Sequence, residues 1–215
     1  MNFDRLAPHY RWMERAFAGR ALHRCRVAFL DRVAPRRVLL PGEGHGRFLF
    51  DLLRHHPHAQ VTVVDASAAM LREARGAVGR CEQVEFIHAD LLEWNPPRDH
   101  FDLIATSFLL DCFTPAQLDP LIATLAKSAT CDATWLVADF REPVRWHAKL
   151  LVWALYRFFR WTTHIDATQI APPDAFLERH GFMLRERRVF DWGLLHSDWW
   201  IAGPIAVRAT TSPPS

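Results

Sequence analysis

Three glycines at alternate positions, Gly42, Gly44 and Gly46, stand between an apolar run and a helical pattern. Val38-Leu39-Leu40 reads as a short buried strand, and Phe48, Leu49, Leu52 and Leu53 recur at helical spacing. Strand, glycine turn and helix in that order open a doubly wound α/β fold. Gly42 can take backbone angles that a side chain forbids. Gly44 lets the main chain approach a ligand, and Gly46 lets the helix start tight against the strand. About twenty residues on, Val61-Thr62-Val63-Val64-Asp65 reads as a second buried strand ending in a carboxylate. That is the spacing at which such folds grip a ribose diol, because an acid accepts both hydroxyl protons.

Two further strands follow, Val84-Glu85-Phe86-Ile87 running into His88-Ala89-Asp90, and Phe101-Asp102-Leu103-Ile104-Ala105-Thr106. The four segments in this order resemble the motifs of the class I S-adenosylmethionine (SAM)-dependent methyltransferases, over residues 37–140. Phe3-Asp4-Arg5-Leu6-Ala7-Pro8-His9-Tyr10 is similar to the opening of the ubiquinone/menaquinone-biosynthesis type, small-molecule methyltransferases in which this segment closes over the cofactor. The resemblance implies a Rossmann-like, doubly wound seven-stranded sheet with an antiparallel last strand and a helical N-terminal cap. One domain is expected over residues 1–203, with the cap at 1–33, an inserted aromatic helix or lid at 144–165 and a frayed tail at 204–215.

The resemblance also assigns roles. Gly42, Gly44 and Gly46 hold the cofactor, and Asp65 takes its ribose. Ala66 and Met70 lie against the adenine, with core packing the other reading of Met70. Asp90 accepts from the adenine amine and the Leu91 amide reaches a ring nitrogen; the alternative for Asp90 is a cap of the following turn. Tyr10 lines the cofactor pocket or only the core, and Ser107 lies beside the cofactor at the end of the fourth strand. One departure stands out: where the family carries an acid before the first glycine, this chain has Leu40. Glu43 either replaces that contact, toward the SAM ammonium, or is a solvated loop carboxylate.

Asp102 begins its strand, the wrong end for chemistry, and reads as structural. Asp111, in Thr106-Ser107-Phe108-Leu109-Leu110-Asp111-Cys112-Phe113, is the catalytic candidate; its alternative is a cap for the helix near Pro115. Asp139 and Arg141 follow the fifth strand, Thr134–Ala138, as substrate contacts or a mutual ion pair. Ser67 reads as an N-cap. Trp153, in the aromatic segment, is a further substrate contact. That segment sets Arg145, Lys149, Arg157 and Arg160 against a wide apolar face. It is too short and charged to span a bilayer, and suits a lid over a greasy substrate, a helix in a membrane interface or a helix buried on the sheet.

Composition narrows the function. A net charge of +2 and the absence of a basic stripe favour a small, apolar acceptor over nucleic acid. Cys25, Cys81, Cys112 and Cys131 form no Cys-x-x-Cys pair, and Pro57 interrupts His55-His56-Pro57-His58, so no metal is expected. The scattered cysteines and the start Met1-Asn2-Phe3-Asp4-Arg5 point to the cytoplasm. Two rivals remain. A nicotinamide oxidoreductase would want glycine where Arg47 stands. A SAM-binding regulator without turnover would tolerate Leu40.

Overall fold

The computed structural model describes residues 19–141 and 172–203. The segments carrying Tyr10 and Trp153, the rest of the expected lid and the tail lie outside them. The described chain is a seven-stranded sheet in the order β3-β2-β1-β4-β5-β7-β6. Its strands are β1 (Arg37–Pro41), β2 (Gln60–Asp65), β3 (Val84–His88), β4 (Phe101–Ser107), β5 (Ala129–Phe140), β6 (Phe182–Phe190) and β7 (Leu195–Ala202). β1 to β5 pair in parallel, while β7 runs antiparallel to both β5 and β6. The antiparallel last strand of the resemblance is present.

Side chains alternate between the two faces of the sheet, as a period of two requires. Leu39, Val64, Ile104, Trp135 and Val137 join one core cluster. Their neighbours Val38, Leu40, Val63, Leu103, Ala105 and Leu136 join the other. Both faces of β1, β2, β4 and β5 are therefore buried along most of their length, whereas the edge strand β3 has no buried residue. Helices α2 (Arg47–His55) and α3 (Ala68–Val78) supply Phe48, Leu49, Leu52 and Leu71 to the second cluster. Helices α4 (Pro115–Ser128) and α5 (Asp174–Arg179) supply Leu118, Leu121, Ile122, Leu125 and Leu177 to the first. Helix α1 (Gly19–Arg26), the described part of the cap, packs Cys25 against Ala138 and Leu195.

Local chemistry sets the element ends. Ser67 Oγ accepts the Met70 N–H at 3.2 Å and caps α3. Gln117 Oε1 accepts from the Thr114 N–H at 3.1 Å and from the Thr114 hydroxyl at 3.0 Å, closing the start of α4. Asp102 accepts the Arg36 and Arg37 N–H groups at 3.0 to 3.1 Å and ties the entry of β1 to β4.

Candidate active site

The parallel strands end at one edge, and β1 and β4 leave it in opposite directions. In an open α/β sheet the crevice at that reversal is where ligands bind. The loop after β1 holds Gly42 and Gly44 at φ 60° and 68°, in the left-handed region that side chains resist. The Gly42 N–H donates to the Val64 carbonyl at 2.7 Å. A Cβ on Gly42 would collide with Leu109 Cδ1, so the loops after β1 and β4 touch at this point. A Cβ on Gly44 would meet nothing within 4 Å. On Gly46 it would press on the backbone of Ala74 at 2.8 Å, which lets α2 and α3 pack closely.

Asp65 ends β2 and is 9% exposed. Its Oδ2 accepts the Gly44 N–H at 3.2 Å and its Oδ1 accepts the Ser67 N–H at 2.8 Å. Both oxygens are thus oriented by backbone donors at the mouth of the crevice. Leu40, where the family carries an acid, is fully buried in the core. The loop is held by Asp65 from one side and Glu43 from the other. Glu43 Oε1 accepts the Leu49 N–H at 3.0 Å at the N-terminus of α2, a place the helix dipole favours for an anion. Burial nevertheless pushes its carboxyl up to about 7, against the α2 amides and the charge of Arg26, which both lower it. Glu43 is therefore not a freely solvated loop acid.

Ala66 is exposed after β2, and its carbonyl lies 3.0 Å from His88 Nε2. Met70 is buried under the start of α3. Asp90 is exposed, with Oδ1 accepting the Leu92 N–H at 3.0 Å, so it caps its own turn. The Leu91 side chain belongs to the core. Arg47, where a dinucleotide fingerprint wants glycine, is the first residue of α2.

Ser107 closes β4, and Phe108 follows with φ 53°, a strained value for an aromatic residue. The Phe108 N–H donates to the Ala138 carbonyl at 2.7 Å. Asp111 then lies in a short 3-10 turn, Leu110–Cys112, apart from α4. Thr114 and Gln117 already cap that helix, so Asp111 is not its cap. The Asp111 N–H donates to Asp139 Oδ2 at 3.3 Å, and Asp139 Oδ1 accepts the Phe140 N–H at 2.9 Å. Asp139 is 2% exposed. Burial, and then the hydrogen-bonded carboxyl of Asp111, hold Asp139 protonated well above the usual carboxylate range.

The partner of Asp139 is Asp111, not Arg141. Arg141 is exposed, donates its N–H to the Leu194 carbonyl at 2.9 Å and forms no ion pair with Asp139 among the described residues. Across β5 and β7, Asp139 stands opposite His196, which is 4% exposed. His196 Nε2 lies 3.4 Å from Asp198 Oδ2, and burial holds the imidazole below its usual range.

Arg26 carries no sequence signal yet reaches this edge from α1. It is 7% exposed, with its guanidinium 5.2 Å from the centre of the Phe108 ring. A single arginine in a polar helix looks like any solvated one; only the packing of α1 on β5 and β7 turns it inward.

The sheet order and the glycine loop after β1 are those of the class I SAM-dependent methyltransferase fold. Residues 38–143 match the methyltransferase domain family. A trans-aconitate 2-methyltransferase of Rhodopseudomonas palustris (strain BisB5) is 41% identical over 81 residues, 38% of this chain and 30% of that protein. A malonyl-[acyl-carrier protein] O-methyltransferase of Halorhodospira halophila is 34% identical over 112 residues, 51% and 37% of the two chains. The chain thus spans about a third of the length of these curated relatives. Among solved structures, the 1,6-didemethyltoxoflavin-N1-methyltransferase of Burkholderia thailandensis, with 1,6-didemethyltoxoflavin and S-adenosylhomocysteine bound, aligns with a TM-score of 0.66 at 19% identity. That alignment covers 94% of this chain and 86% of the other. The crevice fits the cofactor: the space above Gly44 is open, and the oriented carboxylate of Asp65 borders it.

Proposed function

We propose that this chain moves the methyl group of SAM to a small, apolar acceptor that carries a dissociable proton on oxygen or nitrogen, with Asp111 touching the acceptor. The observation that supports this most is the place of Asp111 in the turn after β4, its N–H held at 3.3 Å by the buried carboxyl of Asp139 at the end of β5. SAM, when bound, supplies a methyl group already activated on a sulfonium, so the chain has chiefly to orient and desolvate. Asp65 orients the ribose, and the glycine loop admits the cofactor close to the backbone. Asp111 then takes the acceptor's proton on its carboxylate, while Asp139, accepting the Asp111 N–H, holds the turn that carries it.

Finer points rest on sequence. The nine tryptophans and the aromatic run at 144–165 support a lipophilic acceptor with Trp153 against it, and a peripheral membrane contact is the extension of that idea. Among the described residues no helix is long and apolar enough to cross a membrane. Four unpaired cysteines support the cytoplasm as its compartment.

Turnover with a panel of quinols, phenols and amines tests the proposal. Asp111→Asn is expected to slow single turnover by about 10²- to 10⁴-fold, with SAM affinity and the denaturant melt unchanged. A variant that turns over as fast as the wild type removes Asp111 from the chemistry.

A further inference from the structure

A second recess lies at the edge of the sheet opposite the crevice. A cavity of about 920 Å³ opens there, where β1, β2, β4 and β5 begin. One wall comes from an irregular ladder. Ala129 pairs with Phe101 and Thr134 with Leu103, so one residue of β4 faces four of β5. Such an excursion bends a strand and re-aims its side chains, and Thr130 and Asp132 line the cavity from it. Arg32, Arg36, Arg37 and His58 line the same recess. Among the described residues, the guanidinium groups of Arg36 and Arg37 have no ion pair, hydrogen bond or ring contact. Arg32 has one exposed contact with Asp31, at 4.0 Å. The two carboxylates of the recess are engaged otherwise. Asp102 accepts the backbone N–H groups of Arg36 and Arg37, and Asp132 Oδ1 accepts the Thr130 hydroxyl at 2.7 Å. Asp102 therefore fixes the backbone from which two arginines project and leaves their side chains free.

We propose that this recess binds a small phosphorylated molecule, at a site separate from the crevice. Three guanidinium groups against two carboxylates leave it net positive. Each guanidinium presents a planar fork that pairs with two phosphate oxygens. Several converging cations suit a doubly charged phosphate better than a single carboxylate. Gln60 and Thr134 add neutral donors beside the arginines. The volume is that of a small-molecule site, about 300–1,000 Å³. A whole-chain charge of +2 and a recess in place of a stripe favour a compact anion over nucleic acid. The proposal uses neither the glycine loop nor Asp65 nor Asp111, so it stands apart from the SAM reading.

Titration calorimetry of the full chain with inorganic pyrophosphate, in about 0.15 M salt, tests it. The wild type is expected to bind one pyrophosphate, and saturating S-adenosylhomocysteine should leave that binding unchanged. Arg36→Gln with Arg37→Gln should weaken it by about ten- to a hundredfold, the range for hydrogen bonds to a charged group. Both side chains are exposed, so the double variant should melt as the wild type does. Arg37→Lys keeps the charge, loses the fork and should weaken binding by less. Arg72→Gln with Arg80→Gln removes the same charge from exposed positions outside the recess and should leave binding intact. Equal weakening by the two double variants would reduce the effect to net charge and overturn the proposal. Displacement by S-adenosylhomocysteine would put the anion in the crevice and overturn it too, as would a wild type that does not bind pyrophosphate. Capture on phosphatidic acid vesicles in place of pyrophosphate binding would assign the recess to a lipid surface and overturn the small-molecule reading.

Discussion

Single residues of the glycine loop separate folding from binding. Gly42 and Gly44 share a left-handed backbone, but only Gly42 has Leu109 where a side chain would go. Gly44→Val should therefore cost about 1–2 kcal/mol of stability from the strained backbone alone, and should abolish SAM binding because the branched side chain stands in the open crevice. Gly42→Val should lose more stability, since Leu109 must also move. Denaturant melts beside calorimetry separate the two; equal stabilities would show that the loops do not press on each other. Glu43 gives a pH signature. Its carboxyl rises from an ordinary 4.5 to about 7 on folding, so the folded chain binds the proton more tightly than the unfolded one. Its contribution to stability is then fully present below about 4.5 and is lost as pH rises through 7. Glu43→Gln should flatten the stability profile across that window in melts of the ligand-free protein. An unchanged slope would mean that Glu43 ionises normally.

At the scale of elements, much of the fold was legible and the reason is physical. The central parallel strands, buried on both faces, leave apolar runs, and a polar residue marks where β2, β3 and β5 end: Asp65, Asp90 and Asp139. Ser67 read correctly because a cap is local, and Asp102 because its place at the start of its strand is; its bonds to Arg36 and Arg37 are not. The relations across elements were not legible. Asp111 and Thr114 both precede Pro115, and only the intervening 3-10 turn shows that Thr114 is the cap and Asp111 stands apart from the helix. Asp139 has Arg141 two residues away, yet β5 ends at Phe140 and its partner is Asp111, 28 residues back. Arg26 joins the site through a helix packed on strands more than a hundred residues later, a contact with no period or motif. The roles of Tyr10 and Trp153 lie beyond the described residues.

At the scale of the whole molecule, the antiparallel end of the sheet is held by charge as well as apolar packing. Arg187 on β6 donates through Nε to Asp198 Oδ1 at 2.7 Å and through Nη2 to Asp198 Oδ2 at 2.6 Å, and reaches Asp174 of α5 at 2.9 Å. Asp198 is fully buried, so removing the arginine strands an unpaired charge beside His196. Arg187→Ala should destabilise the domain toward the lower end of the roughly 3–5 kcal/mol seen when a buried pair is broken, since Arg187 itself is 21% exposed. A denaturant melt within experimental error of the wild type would show that water already reaches this network.

If the glycine loop and Asp65 form a SAM crevice, titration calorimetry reads it directly. The wild type is predicted to bind SAM and S-adenosylhomocysteine and to prefer both over NAD. Asp65→Ala, checked as folded by its melt, is predicted to lose about 1.5–3 kcal/mol of SAM affinity, the range for hydrogen bonds to a charged group. A folded Asp65→Ala that binds SAM as tightly as the wild type, or a wild type that prefers NAD, would contradict it.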